Sequence, residues 1–209
     1  MKLLSRFCKL FLGKFYLIVV LGPDGSGKST LIDNLIKKYQ QYGTNYYSHL
    51  YPKLYKNKSL KKAVYPYSKK PYPIFISDLK IIYMFLRNIF CLFNVSFKLK
   101  NNSSILWCDR YFFDVFADPL RYRIDKTFLN YKFLNKLVRR PDVIIILNPP
   151  LSSILKRSTE ISEKELKKQI NSYNNLKLIF QDSLLISSEK DINQTIEESE
   201  DYINKKFFK

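Results

Sequence analysis

A glycine-bearing octapeptide constrains this chain more than any other feature. Gly22-Pro23-Asp24-Gly25-Ser26-Gly27-Lys28-Ser29 fits the spacing G-x-x-x-x-G-K-[ST]. It follows the short apolar run Phe15–Leu21, which reads as a buried parallel strand. It precedes a stretch from Ser29 to Tyr42 in which Leu31, Ile32, Leu35 and Ile36 recur at helical intervals before Gly43. In that setting the glycines let backbone N–H groups converge on phosphate oxygens, and the helix start adds its positive dipole end. Gly22 to Thr30 are therefore the expected triphosphate contacts, with Lys28 reaching the β and γ phosphates. Ser29 offers a hydroxyl to Mg²⁺, and Thr30 closes the helix start.

The rest of the chain alternates strands and helices, which implies a parallel sheet covered on both faces. Further strands are expected at Thr44–Leu50, Ile105–Cys108, Val143–Leu147 and Ser183–Ile186. Helices are expected at Ile74–Phe97, mostly buried, at Tyr111–Ala117 and Thr127–Arg139 around a polar link, and at Leu151–Arg157, Glu163–Phe180 and Asp191–Phe208. No internal repeat is present. The chain of 209 residues suits one domain with an inserted lobe.

Charge separates the two halves of the chain. Residues 1–100 carry 18 basic and 3 acidic side chains, net +15, out of a total of +18. Such an excess favours partners bearing phosphates or an anionic surface. From Tyr51 to Pro73 seven lysines alternate with five tyrosines and four prolines and no acid, which reads as a loop or mobile lobe able to attract an anionic acceptor and stack on its ring. A solvated loop explains the same composition. Lysines on a loop without a recognised module make nucleic acid an unlikely partner. Residues 1–15 form a basic amphipathic segment, suited either to lying on anionic lipid or to packing on its own domain. Asp78, Lys80 and Arg87 interrupt the apolar stretch 74–97 too often for an unassisted membrane span. Three cysteines, Cys8, Cys91 and Cys108, lack metal or redox spacing, and with no convincing secretory signal they suit a reducing cytoplasm.

A nucleotide loop serves switches, motors and kinases alike. The guanine-reading N-K-x-D pattern is missing, and Asp109-Arg110-Tyr111 instead follows the strand ending at Cys108. An acid there can hold the magnesium shell, and Arg110 can neutralise a transferring phosphoryl group; a structural ion pair is the alternative reading. With Gly22–Thr30, Asp109–Tyr111, Pro141–Pro150 (PDVIIILNPP), Ile154–Arg157 and Tyr173, the chain resembles the thymidylate kinase-like branch of the P-loop nucleoside and nucleotide kinases over residues 16–190.

That resemblance implies a three-layer P-loop NTPase fold of the α/β class, with a five-stranded parallel sheet flanked by helices. It also implies a single kinase domain over 16–209, an acceptor lobe inserted at 51–100, a short lid at 157–168, and ATP with Mg²⁺ as cofactors. By the same resemblance Lys28 and Arg110 grip donor and acceptor phosphates, and Arg157 is the lid arginine. Ser29 and Asp109 hold the metal, and Asp109, Arg110, Tyr111, Asp114, Arg121 and Arg123 face the acceptor. Asp24, inside the loop, either braces the loop or Arg110 or acts on a hydroxyl; toward an alcohol acceptor, Asp24 or Asp114 is the base candidate. Two departures bear on the acceptor. Phe112–Pro119 stands where thymidylate kinases carry a Ser-x-x-Ala-Tyr-Gln stretch, and His49–Lys53 replaces their Arg-Glu-Pro segment. The stretch Asp114–Arg123 is closer to kinase homologues associated with bacterial surface-glycan loci. The expected activity is an ATP- and Mg²⁺-dependent phosphotransferase acting on a nucleoside monophosphate or a glycan sugar, with a homodimer allowed. The alternative is an ATP-binding accessory protein docked on membrane or on glycan-assembly machinery.

Overall fold

The computed structural model describes residues 15–52, 67, 69–99, 104–129, 133–134, 136–155, 162–187 and 191–207. Five strands are placed: β1 (Phe15–Leu21), β2 (Thr44–His49), β3 (Ser104–Asp109), β4 (Val143–Asn148) and β5 (Leu184–Ser187). They pair in parallel in the order β2-β3-β1-β4-β5. β1 is central because its residues alternate between two cores and leave neither face to solvent. Leu17, Val19 and Leu21 enter one cluster, and Ile18 and Val20 the other. Each such fully buried aliphatic contributes about 1.5–3 kcal/mol relative to exposure.

Helices α1 (Lys28–Lys38) and α6 (Ile192–Phe207) cover one face through Leu31, Ile32, Leu35, Ile196 and Ile203. Helices α2 (Ile74–Lys98) and α5 (Glu163–Ile179) cover the other through Ile81, Met84, Leu92, Tyr173 and Leu176. Short helices α3 (Asp114–Ala117) and α4 (Leu151–Leu155) follow β3 and β4. The result is the expected three-layer α/β fold with its five-stranded sheet.

The sheet register positions the site. Val20 of β1 lies beside Asp109 of β3, so the loop leaving Leu21 emerges next to the carboxylate that ends β3. This is the carboxyl edge of the strands, where open α/β sheets bind ligands.

Several sequence expectations need correction. Tyr111–Ala117 opens as a turn, and only Asp114–Ala117 is helical. Thr127–Arg139 is not helical from its start: residues 128–129 bend, with Thr127 and the Leu129 N–H tied to the Asp78 carboxylate, whereas 133–134 are helical and 136–137 turn. Within the expected 51–100 lobe, α2 is a layer of the domain itself. It is also not mostly buried, since its outer face is apolar and exposed. Residues 163–168 are the first turns of α5, capped by Ser162 accepting from the Glu165 N–H. Arg157, residues 1–14 and most of the basic stretch 53–68 lie outside the described residues. No helix among the described residues is long and apolar enough to cross a membrane. Cys91 and Cys108 are free buried thiols.

Candidate active site

The phosphate loop exists because two glycines allow it. Gly22 has φ +148°, and a Cβ there would meet the Leu147 carbonyl oxygen at 2.7 Å and Ser26 Oγ at 2.9 Å. Gly27 precedes α1 at φ +88°, a left-handed position that costs a side chain strain even in open space. The loop therefore reverses tightly against β4 and delivers its amides to the start of α1.

Lys28 is 6% exposed and folds back on the loop, its Nζ donating to the Pro23 carbonyl at 2.6 Å and to Ser26 Oγ at 3.4 Å. Burial, reinforced by the nearby Arg110 charge, pushes its ammonium down to about 8. A phosphate taking the place of the Pro23 carbonyl would give this charge a proper counter-ion.

Ser29 Oγ donates to Asp109 Oδ2 at 2.7 Å, and the Tyr47 hydroxyl donates to the same oxygen at 3.2 Å. The other carboxylate oxygen, Asp109 Oδ1, is buried without a hydrogen-bond partner. Burial opposes ionisation of Asp109, but Lys28 and Arg110 outweigh it and hold the carboxyl below its usual range. An orphaned carboxylate oxygen beside a serine hydroxyl fits one side of a Mg²⁺ shell. No group of three or more His, Cys, Asp or Glu among the described residues could hold a metal unaided. That suits an ion carried mainly by nucleotide phosphates and water.

Arg110 is the centre of a buried charge cluster beside the loop. It is a non-glycine residue at φ +69°, strain of about 1–3 kcal/mol that the surroundings must hold in place. Its N–H donates to the Val20 carbonyl at 3.0 Å. Its guanidinium, 1% exposed, donates to Asp114 Oδ2 at 2.7 Å, to the Tyr173 hydroxyl at 3.0 Å and to Asp24 Oδ1 at 2.5 Å. Asp114 is fully buried and also accepts from the Tyr122 and Tyr173 hydroxyls, each at 2.7 Å. Arg121 pairs with the other oxygen of Asp24. Burial raises Asp24, yet Arg110, Arg121 and Lys28 together hold it far below the normal carboxylate range. Asp24 is thus a fixed anion gripped by two arginines.

A further cluster adjoins this pair. Asp118 accepts from the Tyr67 hydroxyl and, at 3.3 Å, from the Arg121 N–H, and Gln169 Nε2 donates to the Tyr67 hydroxyl at 3.0 Å. Burial and the neighbouring Asp114 push Asp118 up to about 6.

Lys28, Ser29, Asp24, Asp109, Arg110, Asp114 and Arg121 are thus brought together. Two of the expected acceptor residues are not. Tyr111 is buried in the core with its hydroxyl donating to the Arg139 carbonyl at 3.1 Å. Arg123 donates to the Lys70 carbonyl and stacks 3.8 Å over the Tyr72 ring, bracing the approach to α2. Sequence reasoning overlooked Tyr47, Tyr122 and Gln169. The one signal was spacing: Gln169 and Tyr173 stand four apart, on one buried face of α5.

A glycine-bearing loop between β1 and α1, a β3 carboxylate bonded to its serine, and an arginine pair on the loop's own aspartate define a P-loop kinase. The thymidylate kinase family model matches residues 20–203, and the chain belongs to that family. Solved structures of similar fold include deoxyadenosine kinase from M. mycoides with bound dATP, 20% identical, covering 90% of this chain and 99% of that one at a TM-score of 0.55. Thymidylate kinase from Candida albicans is 18% identical, with 93% and 92% coverage and a TM-score of 0.57. Thymidylate kinase from Ehrlichia chaffeensis is 17% identical, with 90% and 98% coverage and a TM-score of 0.59. A comparison with curated proteins finds no match.

Proposed function

We propose that this kinase transfers the γ-phosphoryl group of Mg²⁺-ATP to the phosphate of a nucleoside monophosphate. The observation that carries the reading is the meeting of Arg110 and Arg121 on Asp24, within the phosphate loop. An alcohol acceptor would need a base: Asp24, gripped by two cations and depressed well below its ordinary value, is a poor one, and Asp114 is fully buried with both oxygens taken by Arg110, Tyr122 and Tyr173. A phosphate oxygen already carries the electron pair for attack and needs only neutralisation and alignment, which two guanidiniums supply.

In this reading an acceptor oxygen forms the new bond to the γ phosphorus as the bond to the β–γ bridging oxygen breaks, and ADP leaves with that electron pair. Lys28 and the loop amides bind the donor. Ser29 and Asp109 would hold Mg²⁺, which neutralises charge on the donor phosphates when bound. Arg121 exchanges Asp24 for the acceptor phosphate, while Arg110, fixed by Asp114 and Tyr173, stays aligned. Deoxynucleotide acceptors are the natural first choice, since the similar folds named above include deoxyadenosine and thymidylate kinases.

The test is ADP release by the full chain with Mg²⁺-ATP, offered deoxynucleoside monophosphates, nucleosides and free or nucleotide-linked sugars. Turnover is expected with one or more monophosphates, with loss of at least 100-fold in Lys28→Ala and a rise in acceptor KM on the order of 10-fold or more in Arg121→Met. Turnover only with nucleosides or sugars would replace the phosphate acceptor by an alcohol. ATP binding without turnover on any acceptor would leave an accessory nucleotide-binding protein.

A further inference from the structure

Tyr47 reaches the Ser29–Asp109 end of the site from β2, a strand that carries neither the glycine loop nor the Asp-Arg pair. β2 alternates its side chains between the two cores: Tyr46 packs against the cluster beneath α2 and α5, and Tyr47 against the cluster beneath α1 and α6. Parallel pairing sets Tyr47 beside Trp107, a member of that second cluster, and Asp109 stands two residues further on the same face. From there the Tyr47 hydroxyl donates to Asp109 Oδ2 at 3.2 Å, where the Ser29 hydroxyl also donates at 2.7 Å, and Ser29 itself lies within hydrogen-bonding reach of it. A register slip of one residue would send this phenol to the opposite face of the sheet.

Two donors on one oxygen leave the carboxylate unevenly used. An ionised carboxylate offers about four acceptor positions, two on each oxygen. Ser29 and Tyr47 take those of Oδ2, while Oδ1 is buried without a hydrogen-bond partner. A single bond from Ser29 would let the carboxylate plane swing about Cβ–Cγ. The second bond comes from a different element, so it fixes the plane and with it the direction in which the unpartnered oxygen faces. Ser29 is affected as well. A hydroxyl whose proton is committed to a carboxylate has only its lone pairs to offer a cation.

We propose that Tyr47 is a positioning residue for the magnesium site: it fixes the Asp109 carboxylate so that Oδ1, the oxygen not bonded to Ser29, serves the Mg²⁺ shell. The inference rests on the reading that Ser29 and Asp109 hold Mg²⁺, and it is independent of which acceptor the active site takes. Loss of a group that orients a metal-binding side chain lowers metal affinity about 10–100-fold. An ion carried mainly by nucleotide phosphates places this site at the low end, about tenfold.

Calorimetric titration of the full chain with the non-hydrolysable β,γ-methylene analogue of ATP, once in EDTA and once in saturating Mg²⁺, tests it. The ratio of the two affinities measures what the ion adds. Tyr47→Phe keeps the ring and removes only the hydroxyl. Its affinity in EDTA should equal that of the wild type, and its ratio should fall about tenfold, with the Mg²⁺ concentration for half-maximal turnover rising in step. Asp109→Asn should lower the ratio at least as far, and adding Tyr47→Phe to it should cost nothing more, because Tyr47 acts through that carboxylate. Tyr47→Met, which also lacks the hydroxyl, serves if the phenylalanine variant unfolds. Equal losses with and without Mg²⁺, or a wild-type ratio in Tyr47→Phe while Asp109→Asn lowers it, overturns the role of Tyr47. A ratio that Asp109→Asn leaves unchanged overturns the metal assignment of Asp109 and the proposal with it.

Discussion

Replacing Asp114 by Asn isolates the charge that holds Arg110 in place. The Asp114 side chain is fully buried, and its two oxygens accept from Arg110, Tyr122 and Tyr173 at 2.7 Å each. An asparagine of the same shape can keep its oxygen toward Arg110 and Tyr122. The Tyr173 hydroxyl can turn to accept from the new amide, so the hydrogen-bond count hardly changes. What disappears is the negative charge facing a guanidinium that is 1% exposed. Removing one partner of a buried ion pair costs about 3–5 kcal/mol. Asp24 still faces Arg110, which places this variant at the lower end, about 3 kcal/mol. In a chain of this size that is a fall in Tm of about 6–12 °C. Urea unfolding followed by far-UV circular dichroism and by the fluorescence of Trp107, the sole and fully buried tryptophan, measures it. A loss below about 1 kcal/mol with an unchanged denaturant slope would mean that the pair is solvated and that Arg110 is held by something else. Arg110→Met combined with Asp114→Leu should cost less than the sum of the single changes, because neither charge is then left unpaired.

Two further outcomes concern pH. Burial and Arg110 push Lys28 down to about 8 in the nucleotide-free protein, while the unfolded chain keeps the ordinary value, so the cost of burying this charge is relieved as pH rises from 8 toward 10.5. A triphosphate needs the ammonium. ATP affinity measured by calorimetry should therefore fall above pH 8 by up to about tenfold per unit. A flat profile from pH 7 to 9.5, or the same slope in Lys28→Met, would refute the assignment. Asp118, raised to about 6 by burial and Asp114, takes up a proton in the folded state that the unfolded chain releases near 4, so its contribution to stability is full below that and is lost as pH rises through 6. Asp118→Asn should accordingly stabilise the protein at pH 7.5 by up to about 2–3 kcal/mol, a gain that shrinks as pH falls toward 4. A uniform effect across that range would show that the carboxyl is solvated.

The sequence was legible where the physics is local. Phe15–Leu21, Val143–Leu147 and the loop between Gly22 and Ser29 are determined by β-branched runs and glycine spacing, and the structure places them within a residue of the expected bounds. The start of the segment Thr127–Arg139 was misread as helix because Asp78, 49 residues from Thr127, offers Thr127 and the Leu129 N–H a carboxylate that no periodicity reveals. Helix α2 was read correctly as a helix but not as a surface, since an apolar residue is counted alike whether it faces the core or solvent.

Taken alone, the amino-acid order determined the phosphate loop, the strand ahead of it, the helix behind it and the carboxylate at the end of β3. Each is a short-range consequence of side-chain shape and backbone freedom. Only the tertiary structure decided that Arg110 and Arg121, eleven residues apart, close on one aspartate from a third segment. It also decided that Tyr173 and Tyr122 lock the first of them, and that Tyr111 goes into the core. Parallel crossovers fold distant stretches onto one sheet edge, and which side chains meet there depends on the register of strands 80 or more residues apart.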